Sequence, residues 1–125
     1  MADAVVFVLY EDDATRASLA FLLGTHGWTV RKCRSADELN AALPPEAVGC
    51  LLLSQEMSDT SGLECLAGLR ARGISLPAVI TAEIVTKQLR RQAARLGAVV
   101  VDALSVAVIP EALSEVLRGG PRSNQ

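Results

Sequence analysis

Polar side chains that could do chemistry stand at the ends of several short apolar runs. The first run is followed by Glu11 and Asp12, and the third by Ser54 and then Glu56. Thr81 ends the next run. If the runs are parallel strands, their carboxyl ends meet at one edge of a sheet, where open α/β proteins place their sites. We therefore expect these five side chains to lie near one another.

Two kinds of chemistry are conceivable at such an edge. Carboxylate oxygens are ligands for Mg²⁺, so Glu11 and Glu56 could hold the ion weakly, although solvated acids on a loop rim are the favoured interpretation. A hydrolytic site built on Ser54 would need a base, and the only histidine, His26, is predicted at the opposite end of the sheet. We therefore predict no catalytic residue, no cofactor and no dedicated metal site.

Apolar runs alternate with helical patterns along the chain, which predicts a doubly wound α/β fold. Its single parallel sheet would have five strands, flanked by five helices. Strands are predicted at 5–9, 28–33, 48–53, 76–81 and 98–101, and helices at about 13–26, 35–43, 63–72, 86–96 and 110–118. The strand at 28–33 is mixed in polarity and is predicted near an edge. Ser35 and Glu38 form a capping-box pattern at the start of the second helix.

Composition limits the classes of function. With 125 residues and a net charge of −2, the chain fits one domain, predicted over 1–118, with 119–125 as a tail or the start of a linker. Direct binding to nucleic acid is not expected, and no apolar run is long enough to span a membrane. Cys33, Cys50 and Cys65 lack metal-type spacing and indicate a reduced, cytoplasmic protein, with a redox input left open.

The helix predicted at 86–96 is strongly basic and contains no acid. Acidic side chains follow on the next strand exit and on the last helix. Such a pattern is self-complementary if two copies pack about a two-fold axis, and an ordinary solvated face is an equal alternative. The candidate dimer face consists of Lys87, Arg90, Arg91, Arg95, Val101, Asp102, Glu111 and Glu115.

Three stretches together resemble the receiver domain of response regulators, and its FixJ-like branch most of all. They are TRASLAFLLGTHGWTV at 15–30, EMSDTSGLECLAGLRARG at 56–73, and the stretch 76–101, which includes ARLGA before the fifth strand. The resemblance covers nearly the whole chain. It implies a flavodoxin-like fold and a dimer surface on the fourth helix, fifth strand and fifth helix.

The resemblance also implies phosphoryl transfer to an aspartate that ends the third strand. Two acids after the first strand would hold Mg²⁺, a hydroxyl would end the fourth strand, and a lysine would end the fifth. In this chain the acceptor position falls on Ser54, and the lysine position on Leu104. Only Thr81 matches its role. The acid pair falls on Tyr10 and Glu11 when Arg16 fixes the register, or on Glu11 and Asp12 after a slip of one residue, and the switch aromatic falls on Val101.

These departures predict a pseudo-receiver that works without phosphorylation. We expect a regulatory module of signal transduction or transcription, which acts through protein contacts and is a homodimer. A helix-turn-helix output domain or a separate partner protein would complete it. Two alternatives are a sensor of a small ligand in the vestigial pocket and an unconventional phosphoreceiver.

The segment around the lost lysine position is unusually rich in aliphatic residues. Two hypotheses follow: the loop is packed down against the domain, or it offers an exposed apolar patch to a partner. The residues concerned are Val99, Val100, Val101, Leu104, Val106, Val108 and Ile109.

Overall fold

A computed structural model describes residues 4–119 of the chain, and within them five strands form one parallel sheet. The spatial order of the strands is β2-β1-β3-β4-β5. This arrangement confirms the predicted fold class and the edge position of β2. The strands are Val5–Leu9 (β1), Thr29–Cys33 (β2), Cys50–Ser54 (β3), Ala78–Ala82 (β4) and Ala98–Asp102 (β5).

Helices cover both faces of the sheet, as expected for parallel strands joined by helical crossovers. One face carries α2, α3 and α4 over a core that includes Leu51, Leu53 and Leu66, and the other carries α1 and α5 over Val8 and Leu52. No helix within residues 4–119 is both long and apolar enough to cross a membrane. The helices are Asp13–Thr25 (α1), Ala36–Ala42 (α2), Gly62–Ala71 (α3), Lys87–Arg95 (α4) and Ile109–Leu117 (α5), the last preceded by a 3₁₀ turn at Val106–Val108.

Side-chain caps begin four of the five helices in the described part of the chain. Asp12 accepts a hydrogen bond from the amide of Thr15 at 2.8 Å, which satisfies one of the free N–H groups at the start of α1. Ser35 caps α2 by accepting from the amide of Glu38 at 3.1 Å. The Glu38 carboxylate, however, accepts from the amide of Arg34 at 2.7 Å, so the capping-box prediction is right only in its serine half. Ser61 and Thr86 cap α3 and α4.

The third strand begins later than its apolar run predicts. Val48 is 75% exposed, and β3 starts at Cys50. Gly49 lies between them with φ of +123°, a backbone conformation that L side chains rarely adopt. A Cβ there would come within 2.3 Å of the Val5 carbonyl oxygen. The other predicted element ends agree with the structure within one or two residues.

The loop after β5 contradicts the hypothesis that its aliphatic side chains are packed down. Leu104 is 89% exposed, and Val106 and Val108 are also exposed, whereas Val100 and Ile109 are buried at the two ends of the segment. The cause is local backbone bonding. The amide of Leu104 donates to the Asp102 carboxylate at 2.8 Å, and the amide of Ser105 donates to the Asp102 carbonyl at 2.9 Å. These bonds close a tight turn and leave the Leu104 side chain in solvent. Of the predicted tail, residues from 120 onward lie outside the described range.

Candidate functional site

A cleft of about 780 Å³ opens at the carboxyl edge of the sheet. The ends of β1, β3 and β4 form its floor, with the start of α1 and the loop after β5 at its sides. The structure brings six of the sequence-predicted site residues to this cleft: Glu11, Asp12, Ser54, Glu56, Thr81 and Leu104.

Tyr10 and Thr81 connect two strands across the floor of the cleft. The Tyr10 hydroxyl and the Thr81 hydroxyl are hydrogen bonded, and Thr81 is only 1% exposed. Burial raises the pKa of Tyr10, and the charge of Glu56 raises it further, while the Thr81 hydrogen bond partly opposes both. The group at this position is therefore a neutral phenol at physiological pH.

Ser54 is the last residue of β3, beside Thr81 in the register of β3 and β4. It is 7% exposed, and its hydroxyl donates to the Glu56 carbonyl oxygen at 3.2 Å. Gly62 allows the following loop to pack closely, since a Cβ there would lie 2.6 Å from the Ser54 carbonyl oxygen. The hydroxyl proton of Ser54 is thus engaged by a backbone acceptor.

The acids of the cleft bind backbone amides. Both carboxylate oxygens of Glu11 accept from the Ser58 amide at 3.0 Å, and one also accepts from the Ser58 hydroxyl at 2.8 Å. These bonds, the amide first, hold the pKa of Glu11 below its ordinary value. The Glu56 carboxylate accepts from the Glu83 amide at 3.0 Å. Each acid therefore holds a loop in place.

Asp12 is likewise used locally. Besides the Thr15 amide, its carboxylate accepts from the Thr15 hydroxyl at 2.7 Å, and this bond is the largest cause that lowers the pKa of Asp12. Arg16 orients the same loop, because its guanidinium donates to the Tyr10 carbonyl at 2.8 Å and pairs with Asp13 at 2.5 Å. From the sequence, Arg16 served only to align the acid pair with Tyr10 and Glu11, and its contacts with the loop were not predicted.

The described residues do not assemble a dedicated site for a divalent cation. Mg²⁺ takes oxygen ligands in near-octahedral geometry, with one or two carboxylates among them, whereas Tyr10 and Ser54 offer neutral hydroxyls already used in hydrogen bonds. Both oxygens of Glu11 are engaged by Ser58. Among residues 4–119, no group of three or more His, Cys, Asp or Glu side chains is placed to hold a metal ion.

The candidate dimer face on α4, β5 and α5 presents its charges to solvent. Its basic side chains and the acids Asp102, Glu111 and Glu115 are exposed, and Val101 is partly buried. Arg90 reaches the Val100 carbonyl at 3.4 Å. In the part of the chain that the structure describes, the only ion pair is Arg16–Asp13. The basic and acidic groups of this face therefore have no ion-pair partner among those residues.

The cysteines are buried within the core. Cys33, Cys50 and Cys65 are free thiols, and burial raises the pKa of all three, that of Cys50 to about 12. Because the thiolate is the reactive form, burial of this kind makes the native thiols poor nucleophiles.

A second cavity, of about 490 Å³, lies at the opposite end of the sheet, beside Arg70, Leu96 and Val116. The Arg70 guanidinium faces it, but donates to the carbonyl oxygens of Leu96 at 2.7 Å and Ile74 at 2.9 Å. Arg70 thereby satisfies backbone acceptors between α3, α4 and the turn before β4, which is a structural role.

Three contributors to the cleft were not recognised from the sequence. Ser58 binds Glu11, the amide of Glu83 binds Glu56, and Ile84, which follows Glu83 in the chain, is exposed. These contacts join residues 47 and 27 positions apart, so no local pattern could indicate them.

Comparison with known proteins agrees with this architecture. The family described as response regulator receiver domain matches residues 6–117. The transcriptional regulatory protein FixJ of Azorhizobium caulinodans is 38% identical over 93 residues, covering 74% of this chain and 44% of that protein. The transcriptional regulatory protein TdiR of Thauera aromatica is 32% identical over 95 residues, covering 76% of this chain and 42% of that protein.

The same likeness extends to solved structures. The crystal structure of FixJ-N superposes with a TM-score of 0.81 at 27% identity, covering 94% of this chain and 96% of that one. This chain spans less than half the length of the curated relatives named above. With the family matched over nearly its whole length, the chain belongs to the response regulator receiver domains.

Proposed function

We propose that this receiver domain regulates without being phosphorylated, as a module that acts through contacts with proteins. The observation that carries the proposal is the buried Tyr10–Thr81 hydrogen bond beside Ser54. Phosphoryl transfer needs a carboxylate nucleophile and acids for the metal, and in the alignment fixed by Arg16 these roles would fall in part to Ser54 and Tyr10, whose side chains are neutral hydroxyls. A serine hydroxyl is not ionised near neutral pH and needs a base to react.

The missing lysine supports the same conclusion. The chain has two lysines, and neither follows β5: Lys32 is on the edge strand β2, and Lys87 begins α4. Leu104 follows β5 instead and is exposed. None of the described residues that line the cleft is Lys or Arg, so no cation there replaces the lysine, and we assign the domain a non-enzymatic role.

For the contact itself, we propose a homodimer through α4, β5 and α5. The exposed arginines of α4 and the exposed acids Asp102, Glu111 and Glu115 are complementary across a two-fold axis. The equilibrium between the free and the associated state would then shift with protein concentration or with the presence of a partner. The FixJ and TdiR relatives are transcriptional regulatory proteins of which the matched region covers less than half, and we propose that an output domain or a partner protein completes this regulator. A cytoplasmic regulator of transcription is therefore the setting we propose, with no contact between this domain and DNA.

Sedimentation equilibrium tests the proposal. The sample would be measured over a range of concentrations, with and without Mg²⁺ and acetyl phosphate. We expect a monomer–dimer equilibrium whose dissociation constant does not change with the phosphodonor. A dimer that forms only after acetyl phosphate is added would contradict the proposal, and so would a strict monomer at every concentration.

A further inference from the structure

Four large aliphatic side chains in the loops after β4 and β5 are exposed, and two of them, Leu104 and Val106, line the cleft. The four are Ile84, Leu104, Val106 and Val108, here called the carboxyl-edge patch. Ile84 is 75% exposed and Leu104 is 89% exposed. Their loops leave neighbouring strands, since Ala82 pairs with Asp102 and the amide of Ala103 donates to the Ala82 carbonyl at 2.8 Å. Large aliphatic side chains that share one exposed surface indicate an interaction site.

The cleft beside this patch is negatively charged. Glu11, Asp12, Glu56 and Glu83 line it, and none of its described lining residues is Lys or Arg. Leu104 and Val106 line the same cleft, so the apolar and the acidic surfaces are continuous. The surface therefore combines an aliphatic area with an adjoining negative pocket.

We propose that the carboxyl-edge patch and the cleft together bind a basic amphipathic segment of a partner protein. Aliphatic side chains of that segment cover Ile84 and Leu104, and one of its lysine or arginine side chains enters the cleft between Glu56 and Glu83. Charge complementarity selects a basic partner, and burial of the patch supplies apolar contact. The proposal rests on the proposed function, because a phosphorylated acceptor would need the same cleft.

A second copy of this chain does not match the surface as well. The basic helix α4 supplies Lys87, Arg91 and Arg95, but none of its described residues is a large exposed aliphatic side chain. Elsewhere among residues 4–119, the exposed large hydrophobic side chains are Phe21, Val48 and Leu117, none of them on α4. A segment that fits the surface must be both basic and rich in large aliphatic side chains. This combination indicates another protein as the partner.

NMR mapping with a synthetic peptide tests the proposal. The probe is a peptide of leucine and lysine spaced as an amphipathic helix of about four turns. The matched control peptide has glutamate in place of each lysine. We expect the lysine peptide to shift the amide signals of residues 83–85, 103–108 and 11, and the glutamate peptide to leave them unchanged. Shifts confined to another face, or equal shifts with both peptides, would overturn the proposal.

Two substitutions with the same change of charge sharpen the test. Leu104→Lys places a cation at the cleft, and Val48→Lys places one in the turn before β3, at the opposite end of the sheet. Both side chains are exposed, so both variants should fold. We expect L104K to weaken peptide binding roughly tenfold and V48K to leave it nearly unchanged. An equal loss in both variants would mean attraction by net charge alone and would sink the proposal.

Competition by a small amine distinguishes a small-ligand site from a surface that binds a protein segment. If butylamine displaced the peptide at equal concentration, the cleft would be a small-ligand site and the patch would be irrelevant. Phosphate uptake by the domain, measured separately by mass, would instead refute the proposed function. The two failures are therefore distinguishable.

Discussion

The phenol of Tyr10 can be observed on its own, because the chain contains only one tyrosine. Its pKa is raised above the ordinary 10.0, mainly by burial. We expect a titration followed by phenolate absorbance to give a midpoint above 10.0. The folded state then holds the proton more tightly than the unfolded state, so this contribution to stability is complete below the ordinary pKa of 10.0 and is lost as the pH rises from there through the raised folded pKa. A reversible midpoint at the ordinary value would mean an exposed phenol.

The Tyr10–Thr81 hydrogen bond should also be visible in a double-mutant cycle. Tyr10→Phe leaves the buried Thr81 hydroxyl without its partner, and we expect a loss of about 1–3 kcal/mol in the free energy of unfolding. Thr81→Val should cost a similar amount. The double variant should cost clearly less than the sum, because neither polar group is then stranded. Urea denaturation measures all four proteins. Strictly additive losses would mean that the two hydroxyls do not interact.

Glu11 determines part of the decrease in the free energy of unfolding at low pH. Its pKa is held below 4.5 by the Ser58 amide and hydroxyl, so the unfolded state takes up the proton first as the pH falls. The stability that this carboxylate contributes is complete above the ordinary pKa of 4.5 and is lost as the pH falls from there through the lowered folded pKa. We expect the unfolding free energy of the Glu11→Gln variant to fall less than that of the wild-type protein as the pH drops below about 4.5.

Glu46→Gln is the matched control for that prediction. Glu46 is exposed and lies in the turn before β3, away from the cleft. The control should reproduce the wild-type dependence of unfolding free energy on pH. A decrease that is as steep in E11Q as in the wild-type protein would show that the Ser58 contacts contribute nothing in solution.

At the scale of the elements, charges on α4 and at the end of β5 test the proposed homodimer most clearly. Arg91→Glu should weaken the dimer roughly tenfold, because each exposed pair contributes up to about 1 kcal/mol and occurs twice in a two-fold dimer. Combining it with Asp102→Arg should restore part of the affinity. Sedimentation equilibrium gives the dissociation constants.

The control for the charge reversal lies on the other edge of the sheet. Arg31→Glu changes an exposed arginine on β2 by the same charge and should leave the dissociation constant unaltered. If R31E weakened the dimer as much as R91E, net charge rather than a specific face would govern association.

Element ends could be predicted wherever a local interaction sets them. Asp12, Ser35 and Thr86 cap their helices through hydrogen bonds within a few residues, and these patterns are visible in the sequence. The start of β3 was predicted too early because Gly49 takes a conformation outside the extended region. The exposure of Leu104 depends on a turn held by Asp102, and hydrophobicity alone favours its burial.

At the scale of the whole molecule, the alternation of apolar runs and helical patterns was enough to predict the sheet and its two helical layers. It also placed Ser54, Thr81 and the acids at one edge. What these side chains do to one another could not be read from the chain. The bonds from Glu11 to Ser58 and from Tyr10 to Thr81 join residues 47 and 71 positions apart. Such contacts exist only once the strands are side by side.

The most direct measurement is intact mass after incubation with acetyl phosphate and Mg²⁺, beside an ordinary receiver domain as a positive control. We predict that the control gains a phosphate and that this protein's mass stays unchanged. A Mg²⁺-dependent gain that hydroxylamine removes would mean an acyl phosphate on a carboxylate such as Glu56 or Asp59. A gain that resists hydroxylamine would mean a phosphate ester on a hydroxyl such as that of Ser54. Either gain would contradict regulation without phosphorylation.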